Sequence, residues 1–135
     1  MSSPTLEAVQ AQIDWLVYHQ DTIERALDHA NNTATFDDVA QHIMMGKARL
    51  YADEDSFVVT EIINLPQAKF YNVWVTGGVK DAVLRWEDQL MVDAHALGCS
   101  HLAGSGRKGW ERVMTGQGWD FYTITMLKEV THGVH

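Results

Sequence analysis

A single cysteine, Cys99, stands in a chain of 135 residues, so no internal disulfide can form and a reducing compartment is the natural expectation. Positive charge is sparse as well. Ten Lys and Arg face eighteen Asp and Glu, for a formal net charge of −8, and no basic cluster is longer than Arg107-Lys108. A surface that neutralises nucleic-acid phosphates needs concentrated positive charge, which argues against nucleic acid as a partner and against an anionic membrane surface for the same reason. No apolar run approaches the roughly 20 residues of a membrane-spanning helix, and Met1–Thr5 lacks the basic start of a secretory signal. The expectation is a soluble cytoplasmic protein, or one carried inside a particle, which would have the same composition.

Familiar chemical motifs are missing too. There is no Walker sequence and no G-x-G-x-x-G pattern for phosphate. The seven histidines show no H-x-x-x-H ligand spacing, so a zinc site is not expected. A seryl nucleophile would want a G-x-S-x-G elbow, which is absent. Cys99 follows the end of a predicted helix rather than opening one, so nothing there favours its thiolate. Internal repeats, low-complexity segments and interdomain linkers are also lacking.

What is present reads as one α/β domain over residues 1–135, because an apolar fraction of 46% in a chain this long can bury a core unaided. Leu6, Val9, Ile13, Leu16, Val17, Ile23 and Leu27 recur at helical spacing, predicting a helix from Pro4 to Ala30 that breaks near His19–Asp21. Thr35 has the look of an N-cap, with Asp37 and Asp38 in the first turn of a short helix that Gly46 ends. Ala48–Tyr51 and Ser56–Ile63 form an expected hairpin around Asp53-Glu54-Asp55. Lys69–Thr76 carries Phe70 and Trp74 on one face and Tyr71, Val73 and Val75 on the other, the mark of a central strand covered on both sides. Gly77-Gly78 is then expected to turn into one continuous helix running to Gly98, with Val83, Trp86, Leu90, Ala94 and Leu97 on its buried stripe. Cys99–Ala103 returns as a strand parallel to Lys69–Thr76, because a strand, a crossover helix and a strand make a βαβ unit. A second short helix and a final strand, Asp120–Lys128, close the order α-α-β-β-β-α-β-α-β in a mixed sheet with helices on both faces.

Several residues invite a chemical reading beside a structural one. Gly77-Gly78 lies where a strand feeds a helix start, a place where free amides can hold phosphate, and it is equally what a tight turn uses. Arg107-Lys108, flanked by glycines and followed by Trp110, could grip an anion or a partner's carboxylate; alternatively Arg107 pairs with one of the many acids and Trp110 packs under its helix. Glu61 sits inside the apolar strand and could serve as a general base if desolvated, or point to solvent. His42 and His101 are the other proton-transfer candidates, against a plain hydrogen-bonded role. Trp86, at its spacing, belongs to the core rather than to a cofactor platform.

The element order, with Gly98-Cys99-Ser100 leading to Gly106-Arg107-Lys108-Gly109-Trp110-Glu111-Arg112-Val113 and then Gly118-Trp119, resembles the GNAT-type acyltransferase superfamily over residues 36–130. It is most similar to the small GNAT-like proteins of tailed bacteriophages. The resemblance implies that acetyl-CoA enters between two splayed parallel strands, here Lys69–Thr76 and Cys99–Ala103, with Val75, Thr76, Gly77, Gly78, Val79 and Lys80 at the cofactor, Glu61 as base, and backbone amides near Val75–Gly78 polarising the thioester carbonyl. This chain departs from the family pattern in two places. The loop before the long helix lacks the leading Gln or Arg and holds Asp81, and the position of the family's acidic tyrosine, four residues before Gly118, is Met114. The resemblance therefore implies a catalytically degenerate accessory or virion-associated binding module, with protein partners met through Arg107, Lys108 and Trp110. The alternative is an active N-acyltransferase in which an amine attacks the thioester directly.

Overall fold

The helical stretch at the N-terminus breaks at a buried histidine. In the computed structural model, which describes residues 5–29, 33–106, 108–123 and 125–130, α1 (Leu6–Tyr18) starts at the Thr5 hydroxyl, which accepts from the Ala8 amide at 3.1 Å, and stops at His19. α2 (Gln20–His29) resumes at once. The His19 ring is buried against Phe57 and Trp15, and its Nε2–H donates to the Asp53 carbonyl at 2.7 Å, so the joint is anchored to the hairpin turn beneath it. α3 (Phe36–Met44) begins with the expected cap in its reciprocal form: Thr35 Oγ1 accepts from the Asp38 amide and Asp38 Oδ2 from the Thr35 amide. The Thr35 amide, with the Thr35 hydroxyl and the charge of His42 behind it, holds the Asp38 carboxyl below its ordinary range.

The sheet has four strands in the order β1-β2-β3-β4, with β1 (Ala48–Ala52), β2 (Ser56–Leu65) and β3 (Ala68–Gly78) antiparallel and β4 (His101–Gly104) parallel to β3. The fold is thus α/β with a mixed sheet, and the βαβ crossover links adjacent parallel strands as the sequence predicts. Asp53 Oδ1 shapes the first hairpin turn by accepting from the Asp55 and Ser56 amides and the Ser56 hydroxyl. Burial raises the Asp53 pKa, but the Ser56 hydroxyl, the two amides and the charge of Arg85 outweigh it and leave the carboxyl below its ordinary range.

Each sheet face buries its own core. On one side Leu16, Ile23, Leu27, Val39 and Ile43 from α1–α3 pack on Leu50, Phe57, Val59 and Val75. On the other, Leu90 and Ala94 of α5 (Glu87–Ala96) pack on Tyr51, Val58 and Tyr71. At roughly 1.5–3 kcal/mol for each large side chain fully removed from water, these two layers are the main source of stability.

Four expectations need correction. The helix after β3 is not continuous: α4 (Lys80–Leu84) ends at Arg85, and α5 restarts after Trp86, whose indole N–H donates to Ser56 Oγ at 3.0 Å and ties the joint to β2. Gly77-Gly78 is not a turn but the paired end of β3, opposite Phe57 and Ser56. Val75 does not share a face with Tyr71 and Val73. The register slips between Val59↔Val75 and Thr60↔Val73, leaving Trp74 as an extra residue, and this bulge turns Val75 over to the Phe57 and Val59 side. Finally, the strand expected over Asp120–Lys128 is not formed among the described residues there, which have no regular structure; Ile124 lies outside them.

The chain separates into two units, Met1–Ser105 and Gly106–His135. The second contains α6 (Lys108–Gly116). Its end is closed by the Trp119 amide donating to the Met114 carbonyl, with Gly118 left-handed at φ +89°.

Candidate functional site

The parallel pair is short and β3 outruns it. β4 matches β3 from Phe70↔His101 to Val73↔Gly104 and then ends, while β3 continues through the Trp74 bulge to Gly78. On its other side this extension stays bonded to β2. The Val79 amide donates to the Asp55 carbonyl at 2.9 Å, and the alternation of an antiparallel ladder then turns the Thr76 and Gly78 amides away from β2, to the side β4 has left. Among the described residues no strand pairs with Trp74–Gly78 on that side. The result is a wedge whose closed end is the β3–β4 pair and whose wall is a row of backbone donors and acceptors. An extended chain bearing amide groups can bond to such an edge.

The loop expected to cradle pyrophosphate is less well equipped. The Val79 amide is already bonded to Asp55, α4 spans only Lys80–Leu84, and Asp81 adds negative charge in its first turn. The glycines answer to close packing instead. A Cβ on Gly77 would lie 3.0 Å from the Phe57 ring and 3.2 Å from Thr22 Cγ2, and one on Gly78, at φ +109°, would lie 2.2 Å from the Asp55 carbonyl oxygen. The Thr76 hydroxyl donates to the Phe57 carbonyl, so Thr76 faces the wedge through its backbone alone, while Val75, its side chain buried in the first core and its amide on the β2 side of the ladder, does not face it.

Glu61 lies opposite Asn72, which in turn lies opposite Ala103, one step before the strands part. Its half-buried carboxylate accepts from the Asn72 side-chain amide at 3.1 Å. His42 and His101 are both exposed. The Nδ1–H of His42 donates to the Asp38 carbonyl and its ring meets Trp74 edge-on, while His101 packs edge-on to Phe70. Trp86 is partly buried and packs against the second core, as its spacing predicts. Cys99 is half-buried against the second core, its amide closing the end of α5 on the Ala94 carbonyl. Arg107 lies outside the described residues, Lys108 is the first residue of α6, and Trp110 is half-buried beside Gly106 within the second unit.

Sequence reasoning missed one constellation altogether. On the α5 face, Tyr51 Oη donates to Asp93 Oδ2 at 2.5 Å and lies 2.6 Å from Tyr71 Oη; with its own proton committed to the carboxylate, it accepts the proton of Tyr71. Burial, the Asp93 bond and the Tyr71 contact push the Tyr51 hydroxyl far above the ordinary tyrosine range, so it stays protonated. Gln89 Nε2 donates to the second oxygen of Asp93, and the Arg49 guanidinium sits 3.5 Å from the first. Alternation in β1 and β3 hints that Tyr51 and Tyr71 share a face, but no local spacing announces Asp93.

Neither a scan against protein-family models nor a search of curated proteins finds a match to this sequence. Solved structures with a similar fold do exist. BH1408 of Bacillus halodurans, solved as a tetramutant, superposes with a TM-score of 0.59 at 13% identity, over 91% of this chain and 96% of its own. TTHA1254 of Thermus thermophilus, in its wild-type form, gives 0.52 at 16% identity, over 85% and 92%. At such identities the likeness is one of fold alone. Among the described residues no helix is long and apolar enough to cross a membrane.

Proposed function

We propose that this protein is a GNAT-like binding module that receives the pantetheine arm of an acyl-CoA, or a chain of the same amide-bearing kind, in the wedge beside β3, and does not acetylate amines at enzymatic rates. The observation that carries this reading is the extension of β3 beyond the end of β4, with the Thr76 and Gly78 amides turned to the vacated side. The absence of turnover follows from how the proton-handling groups are placed. Glu61 is bonded to Asn72, Tyr51 is buried and committed to Asp93, and Met114 has no proton to give a leaving thiolate. The loop that would grip pyrophosphate has one amide occupied and Asp81 nearby, so the affinity expected is weak, on the order of 0.1–1 mM. Calorimetry with acetyl-CoA, alongside an assay of acetyl transfer to a panel of amines, tests both halves. Heat of binding without transfer is the expected result; silence at millimolar acetyl-CoA removes the wedge as a ligand site, and transfer at several turnovers per second removes the binding-module reading.

A second reading, an active N-acyltransferase, draws support from the place of Glu61, in the Glu61–Asn72–Ala103 row at the closed end of the wedge. As general base it would take the proton of an attacking amine. In that case Glu61→Gln lowers kcat by about 10²–10⁴-fold with little change in KM for acetyl-CoA.

A further inference from the structure

At the opposite edge of the sheet, two strands or about 10 Å from β3, a cleft of about 230 Å³ opens between α1 and β1, with Trp15 and Gln12 on the helix side, Arg49 and Tyr51 on the strand and Trp86 beyond it. We propose that this cleft is a second ligand site, for a small planar carboxylate of one or two rings. The cation is in place. The Arg49 guanidinium lies over the Tyr51 ring, 5.2 Å from its centroid, a contact that favours this position of the side chain. Its contact with Asp93, at 3.5 Å, uses one corner of a group that carries five N–H donors, and its side chain is 56% exposed. Asp93 does not depend on that contact, since Tyr51 and Gln89 each donate to it. A ligand carboxylate can therefore engage Arg49 without leaving a buried charge unpaired, and a planar carboxylate matches the fork in a bidentate way.

The walls select the rest of the ligand. Trp15 and Trp86 offer aromatic surface on two sides, and the indole N–H of Trp86 is spent on Ser56, so that ring is held in position and presents its apolar body. A cleft of this volume is smaller than the pockets of about 300–1,000 Å³ that take drug-sized molecules, which limits the ligand to a single or fused ring. The main rival occupant is a strand from a second copy, pairing with the free edge of β1. Gln12 opposes that: its Oε1 accepts from the outward Leu50 amide at 2.8 Å, occupying a donor that strand addition would need.

Titration of the full chain with benzoate, and with benzyl alcohol as the uncharged counterpart, tests the proposal. Benzoate should bind at one site per chain, at least tenfold more tightly than benzyl alcohol. Arg49→Gln, at a half-exposed position, should weaken benzoate at least tenfold, and so should Ala11→Phe, which fills the cleft from an exposed position of α1 and leaves Arg49 and Asp93 untouched. Both variants should keep the wild-type circular dichroism spectrum and the wild-type response to acetyl-CoA. No saturable benzoate binding up to about 10 mM, a weakness too great for a built site, overturns the proposal. Unchanged affinity in either variant, or sedimentation showing that the cleft is covered by a second copy, does the same.

Discussion

Tyr51 and Asp53 are near neighbours in sequence whose side chains work in opposite electrostatic directions. The Tyr51 hydroxyl is a donor held neutral by burial, and its loss takes the bond to one oxygen of the Asp93 carboxylate, which keeps Gln89 and Arg49, and leaves the Tyr71 hydroxyl without this acceptor. Tyr51→Phe should therefore cost about 2–3 kcal/mol in urea unfolding, near the upper end for a hydrogen bond to a charged group, while Tyr71→Phe removes one donor and should cost only about 1 kcal/mol. Because the three groups are in one chain of bonds, the double variant should cost less than the two single losses added together. Asp53 is an acceptor held charged. Its folded pKa lies below the ordinary 3.8, so the stability it contributes is complete above that value and is lost as pH falls through the lowered folded value. Asp53→Asn retains a carbonyl-type acceptor but cannot titrate. Its urea midpoint should fall less steeply than the wild type's as the pH drops below about 4.

At the scale of the element, what was legible in the sequence was whatever is decided locally. Thr35 caps α3 because its hydroxyl and the Asp38 carboxylate reach amides three residues away, and three-residue spacing is visible in a string of letters. Gly98 ends α5 in a left-handed conformation at φ +75° for the same reason. The break between α4 and α5 carries no such mark. Neither Gly nor Pro stands at Arg85-Trp86, and the joint is fixed by an indole bonded to a serine 30 residues earlier. The bulge at Trp74 was hidden likewise, since alternation along β3 alone cannot show that its partner strand is one residue short. Gly77-Gly78 misled in an instructive way: the residues are right for a phosphate loop, but their need for glycine comes from the strand beside them. The cost of a side chain there can be separated from the cost of its backbone angle. Gly78→Ala meets both a positive φ and the Asp55 carbonyl at 2.2 Å, whereas Gly46→Ala, at φ +74°, has nothing within 4 Å. Gly46→Ala should cost about 1–2 kcal/mol, and Gly78→Ala about 1–3 kcal/mol more for the clash; equal costs in chemical denaturation would mean that the two strands are not so closely apposed.

Across the whole molecule, the wedge and the Arg49 cleft lie at different strands of one sheet; the resemblance pointed to the strands that flank the wedge, Lys69–Thr76 and Cys99–Ala103, whereas no motif marked the cleft. The expected final strand failed on another ground. A strand is a property of a ladder, and Asp120–Lys128, strand-like in composition, joins no ladder of the sheet among the described residues. The residues of both buried cores, among the described residues, come by contrast from the first unit, from Ile13 to Val75 on one face and from Tyr51 to Leu102 on the other. A domain of that size buries enough of its surface to fold alone, so a fragment ending at Ser105 should keep a cooperative unfolding transition and the near-ultraviolet signal of its packed aromatics. It should also retain benzoate binding at Arg49, since every residue lining that cleft lies before Trp86 or is Trp86 itself. A fragment that unfolds without cooperativity, or binds a dye specific for exposed apolar surface, would show instead that the stability of the sheet depends on residues after Ser105. The comparison with the full chain then isolates what the second unit contributes: if acetyl-CoA binding is lost in a cooperatively folded fragment while benzoate binding survives, the wedge needs groups from Gly106–His135 and the cleft does not.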